Sequence, residues 1–164
     1  MQLILTVMAD DKPGIVERLS DVVVQHDGNW LDSRLAHMAG KFAGIIRIDS
    51  PQTQSLTVAL QALKNEGIIV DCQLAEGKMN DAKAHCIEIT GHDRLGIVKE
   101  VTACLANLQV NILDFHSSCY QAAMSSETMF KATLHIELSD EKIEQLESSL
   151  EALSSELVID WIDE

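Results

Sequence analysis

Apolar positions recur along the chain with two periods, and the alternation between them outlines the fold. Residues 2–9 are apolar and rich in β-formers, which predicts a strand. Ile15, Val16, Leu19, Val22 and Val23 then fall on one helical face, and Gly28 marks a stop. Asp11 offers a side-chain cap ahead of this helix, with Pro13 early in it. Residues 29–38 and 42–49 read as two strands joined by a turn at Ala39-Gly40-Lys41. Leu56, Leu60 and Leu63 mark a second helix ended by Asn65-Glu66-Gly67, and Ile68 to Leu74 forms a fourth strand. The order is βαββαβ.

The pattern then repeats. Residues 84–91 predict a strand and 96–107 a helix with Ile97, Val98, Val101 and Leu105 inward. Residues 109–119 and 128–138 predict strands. Ile143, Leu146, Leu150 and Leu153 form a helical stripe, and residues 156–162 a last strand. The expected fold class is α+β: two ferredoxin-like βαββαβ domains, each a four-stranded antiparallel sheet with both helices on one face. The predicted boundaries are 1–76 for the first domain, 77–83 for a polar linker and 84–164 for the second. Exposed sheet faces or edges of such domains offer surfaces for packing, including self-association into a homo-oligomer.

The repeat is legible residue by residue. Asp-Lys-Pro-Gly-Ile-Val at 11–16 returns as Asp-Arg-Leu-Gly-Ile-Val at 93–98, an offset of 82. Val7 matches Ile89, Leu19 matches Val101, Asn29 matches Asn111, Leu31 matches Leu113 and Asp32 matches Asp114. The offset becomes 88 where Phe42 meets Phe130 and Ile48 meets Ile136, and 90 where Leu60 and Leu63 meet Leu150 and Leu153. The second copy therefore carries about six extra residues near Tyr120–Glu127 and about two before its last helix, which marks both places as turns.

Composition narrows the function. With 46% hydrophobic residues among 164 the chain supports a core, and with 4% aromatics that core is aliphatic. A net charge of −14, from 12 basic and 26 acidic side chains, argues against direct contact with nucleic acid or with an anionic membrane. The imbalance is concentrated: residues 1–80 carry net −3 and residues 81–164 net −11. The apolar start, Leu3 to Met8, is too short for a signal segment and runs into Asp10-Asp11, so a cytoplasmic location is expected. Cys72, Cys86, Cys104 and Cys119 show no CxxC spacing and read as reduced thiols.

The strand-to-helix motif Asp-Lys-Pro-Gly-Ile-Val within βαββαβ resembles the ACT domain, and the second motif is similar, departing by Leu95 where proline is usual. The resemblance covers essentially the whole chain. Within the family, a stand-alone acidic tandem pair resembles the repressors of the glycine cleavage system. That implies a regulatory protein rather than an enzyme, with no cofactor and no catalytic residue. It would act on glycine-cleavage genes through a protein partner, a DNA-bound transcriptional activator, with glycine or another small amino acid tuning the contact. The alternative implied by the same family is an amino-acid-sensing module that regulates a metabolic enzyme.

A ligand site is expected at the two strand-to-helix turns: Asp11, Lys12, Pro13, Gly14 and Ile15 with Asn29, and His92, Asp93, Arg94, Leu95, Gly96 and Ile97 with Asn111. A helix start presents unpaired N–H groups and partial positive charge to a carboxylate. Glycine without a Cβ lets a ligand or a backbone come close. Asn29 and Asn111 open the second strand of each copy, where amino-acid-binding ACT domains often place a polar residue. The structural alternatives are close helix–strand packing at the glycines, plain turn roles for the asparagines and helix caps for Asp11 and Asp93. The six histidines form no HExxH or HxH motif, and His116 and Cys119 point to opposite faces of a strand, so no metal site is expected. Phosphate-loop, nucleophile-elbow and dinucleotide motifs are absent from the sequence.

Overall fold

Strict alternation in the first strand, with Leu3, Leu5, Val7 and Ala9 buried, gives one face to a core and leaves the other open. The computed structural model describes residues 1–75, 83–123 and 125–162; of the expected linker only Lys83 falls among them. The chain divides into two units, Met1–Lys78 and Met79–Glu164. The first runs β1 (Gln2–Asp10), α1 (Ile15–Gln25), β2 (Asn29–Met38), β3 (Lys41–Asp49), α2 (Thr53–Ala62) with a 3-10 turn at Leu63–Glu66, and β4 (Ile68–Leu74). The second runs β5 (Ala84–His92), α3 (Ile97–Asn107), β6 (Asn111–Gln121), β7 (Thr128–Glu137), a 3-10 turn at Asp140–Lys142, α4 (Ile143–Glu151) and β8 (Val158–Ile162).

The sheets have the order β2-β3-β1-β4 and β6-β7-β5-β8, antiparallel throughout. Each unit has its own aliphatic core. Leu5, Leu19, Ile46, Ile48, Leu56 and Leu60 are fully buried in the first, and Ile87, Ile89, Leu105, Leu134, Leu146 and Leu150 in the second. Each such side chain contributes about 1.5–3 kcal/mol by leaving water.

The two length differences fall in turns. β2 and β3 are joined by Ala39 and Gly40 alone, both at positive φ (48° and 77°), as a tight two-residue hairpin requires. In the second unit β6 ends at Gln121 and β7 begins at Thr128, and each strand is one residue longer than its counterpart. The two residues gained before the last helix fall in the segment that forms the three-residue 3-10 turn at Asp140–Lys142.

Three details differ from the sequence reading. Val16 and Val98 lie on the outer shoulders of their helices, 42% and 41% exposed, and Cys104 takes an inward position instead. Asp11 and Asp93 do not cap helices: the N-cap residues are Gly14 and Gly96, both left-handed (φ 90° and 87°), with no side-chain cap bond. The carboxyl-bearing side chains stand three residues too early to reach the first helical turn, and Pro13 precedes the helix. Finally, α1 ends on a left-handed Asp27 (φ 53°) rather than on Gly28. Gly28 is required for another reason: a Cβ there would sit 2.8 Å from the Val23 carbonyl oxygen.

Candidate functional site

Strand register decides which expected site residues share a locality. Asp10 pairs with Lys41, and Lys41 with Met38, so the turn before α1 and the β2–β3 hairpin occupy one end of the first sheet. Gln2 pairs with Asp49, and Asp49 with Asn29, at the other end. Eight residue steps along β1 separate the two ends by roughly 26 Å. The second sheet repeats this: His92 pairs with Met129 and Met129 with Tyr120 at the turn end, while Ala84 pairs with Glu137 and Glu137 with Asn111 at the far end. Within one unit the turn residues and the asparagine are not brought together.

At the turn end, backbone bonds lock the geometry. Asp11 N–H donates to the Gly40 carbonyl and Asp93 N–H to that of Thr128, both at 2.9 Å. Pro13 is exposed and Leu95 is 99% exposed, whereas Ile15 and Ile97 turn their side chains into the cores. A Cβ on Gly14 would meet only the Glu17 carboxylate at 3.9 Å, and one on Gly96 only that of Glu100 at 3.8 Å. No strand therefore packs against these glycines, and close packing does not explain them. Their positive φ does.

The charges at the two turns are arranged oppositely. Arg18 grips the Glu66 carboxylate through Nε (2.9 Å) and Nη2 (2.8 Å), and Lys12 Nζ donates to the Glu66 carbonyl at 3.2 Å. In the second unit the position of Arg18 is Glu100, held by Arg94 through Nη1 and Nη2 at 2.8 and 2.5 Å. The guanidinium hydrogen bonds hold both Glu66 and Glu100 below the ordinary carboxylate range. At the first turn Arg18 and Lys12 both act on Glu66, with Asp21 also near Arg18, whereas at the second Arg94 stands between Glu100 and Glu156. His92 Nδ1 lies 3.6 Å from Glu127. The Cys119 thiol is pushed up by desolvation and by Asp93, and burial pushes up those of Cys72 and Cys104, so all three are protonated at neutral pH.

At the far end of the second unit lies an open cleft of about 520 Å³. Three segments build it: Lys83 just before β5, Gln109 and Asn111 at the entry to β6, and Glu137 at the end of β7 with Ser139, Asp140 and Lys142 after it. Lys83 Nζ donates to Asp140 at 2.9 Å and holds that carboxyl below its ordinary range, and His85 Nε2 is 3.6 Å from the same carboxylate. Lys142 Nζ donates to the Leu108 carbonyl at 2.9 Å, and Asn111 Nδ2 to Glu137 at 3.4 Å. Of these residues the sequence reading named only Asn111. The two-residue gain before the last helix marks only the Ser139–Lys142 wall; nothing in the sequence marks the others. Among the described residues no group of three or more His, Cys, Asp or Glu could hold a metal ion, and no helix is long and apolar enough to cross a membrane.

Two βαββαβ units, each with a glycine-started first helix and its own antiparallel sheet, define a tandem of ferredoxin-like modules of the ACT type. The ACT domain model matches residues 1–73 and again 85–161, and the chain belongs to the ACT-domain family. A UPF0237 protein of Methanococcus maripaludis is 34% identical over 76 residues, 43% of this chain and 84% of that protein, so it corresponds to one unit. An unknown protein from Galdieria sulphuraria superposes with a TM-score of 0.85 at 23% identity, over 98% of this chain and 96% of that one. A structure whose assignment as a glycine cleavage system transcriptional repressor is provisional superposes with a TM-score of 0.75 at 21% identity, over 99% of this chain and 98% of that one. At such identities the shared property is the fold.

Proposed function

We propose that this protein is a regulator rather than an enzyme, a cytoplasmic repressor of the glycine cleavage genes. It acts by binding a DNA-bound activator, without touching DNA itself, and glycine or a related amino acid tunes the contact. The observation that carries this reading is the end-to-end correspondence, 99% of this chain on 98% of the other, with a two-module protein provisionally assigned that role. The ACT fold accounts for nearly the whole of this chain, which superposes on nearly the whole of that one, and this supports a regulatory rather than a catalytic role. The charge supports the indirect route. At net −14 a phosphate backbone repels the chain, while the excess of acid beyond residue 80 suits a basic surface on a DNA-binding protein. Deleting the gene tests this. Glycine-cleavage transcripts rise when glycine is scarce and return to the parental level on complementation; transcripts unchanged by the deletion contradict the proposal.

A further inference from the structure

We infer that the cleft at the far end of the second unit binds a small zwitterion of the α-amino-acid class, with Lys142 taking the carboxylate and Glu137 the ammonium group. The argument rests on what duplication changed. In the first unit the corresponding corner is closed on itself by its own hydrogen bonds. The Met1 nitrogen donates to Asp49, the counterpart of Glu137, at 3.0 Å and to the Ser50 carbonyl at 3.2 Å. Gln52, the counterpart of Lys142 as the residue before the helix, donates to Asp27 at 2.8 Å. Ser50, fully buried, donates to the His26 carbonyl at 3.1 Å.

The second unit keeps the backbone of this corner, including a positive φ at Gln109 (57°) where Asp27 has 53°. It does not keep the internal pairing. The extra residues of the 3-10 turn bring in Asp140, and Lys83 turns to that carboxylate, not to Glu137. Glu137 is left with one long bond, 3.4 Å, from the Asn111 amide. Gln109 has replaced the carboxylate that Gln52 met in the first unit. Lys142 uses one of its three N–H donors on the Leu108 carbonyl and lines the cleft with no carboxylate partner among the described residues. Among the described residues, one cation and one anion without an oppositely charged partner therefore line the same 520 Å³ cleft. That volume lies within the range of small-molecule sites, about 300–1,000 Å³. A free anion or a free cation satisfies one of the two charges; a zwitterion satisfies both. Asn111 and Ser139 add neutral polar groups at the same wall.

This names the ligand site for the regulatory reading and rests on that reading only for its consequence, because binding is measured without partner or promoter. The experiment titrates the full-length protein with each of the twenty common amino acids, and with acetate and methylammonium, by calorimetry and by amide NMR. At least one amino acid is expected to bind and to move the Asn111, Ser139 and Lys142 resonances, with neither acetate nor methylammonium binding comparably. Lys142→Gln and Glu137→Gln are each expected to weaken it about tenfold or more, and Lys142→Arg to retain it, with the NMR spectrum reporting that each variant is folded. Binding of none of the twenty, equal binding of acetate, or affinity unchanged in both variants overturns the inference. A protein that binds as predicted in cells that show no repression would remove the regulatory reading alone.

Discussion

Gly14 and Gly96 separate two reasons for a glycine. Their Cβ positions face open space, yet their φ values of 90° and 87° belong to the left-handed region. Alanine there carries strain without a clash, so Gly14→Ala is expected to cost about 1–2 kcal/mol and Gly14→Asn less, as read by urea unfolding. Equal stability of all three proteins would contradict the assignment. Gly44 is the reverse case. It lies mid-strand in β3, where a Cβ would come 2.3 Å from the Arg34 carbonyl oxygen and 2.9 Å from Leu35 Cα. Gly44→Ala is therefore expected to displace edge strand β2 and to raise hydrogen exchange along β2 selectively. Nothing in the sequence distinguishes the two kinds, since backbone φ and the approach of a neighbouring strand are both set by tertiary structure.

At the scale of elements, periodicity was a sound guide and its exceptions have physical causes. β4 spans the residues expected of it, and α3 begins one residue inside the expected range. Val16 and Val98 look inward by spacing alone, but a ferredoxin-like helix buries a narrow stripe against one sheet face, and these positions fall on its edge. The register irregularities at Trp30/Asp32 and Ile112/Asp114 were not foreseen, although Leu31 and Leu113 stand at the same place in both copies and both remain exposed. Within one unit the turn and the asparagine lie apart for a topological reason. A strand-to-helix turn and the start of the next strand are separated by the full length of the helix, and so lie at opposite ends of the sheet.

Two predictions belong to this scale. Ala39 pays for the β2–β3 turn with an unfavourable φ of 48°, so Ala39→Asn, which makes an Asn-Gly hairpin, is expected to raise stability by about 1 kcal/mol in thermal or urea unfolding. The Arg18–Glu66 pair lowers the folded-state pKa of Glu66, so its contribution is fully present above the unfolded glutamate value of about 4.3 and is lost as pH falls through the lowered value. Arg18→Gln should accordingly melt below the wild type at pH 7, and the difference should shrink steadily below about pH 4.3. A gap that persists undiminished into acid would show that Arg18 acts through packing and not through its charge.

At the scale of the molecule, duplication followed by divergence is the organising feature. The aliphatic cores and helix-start glycines are retained in both units, while charge is redistributed. Residue 18 is arginine and its counterpart at 100 is glutamate; one far corner is tied shut and the other is a charged cleft. The fold and the tandem arrangement were readable from the repeat. The cleft was not, because its walls come from three separated segments whose juxtaposition only the sheet register reveals. The claim that this tandem represses through a partner is tested most directly by gel retardation of a glycine-cleavage promoter fragment, with the purified protein alone and together with the promoter's activator. The account predicts no retardation by the protein alone at any salt concentration, and a further shift of the activator–DNA complex when both are present. Sequence-specific, salt-sensitive retardation by the protein alone would contradict it.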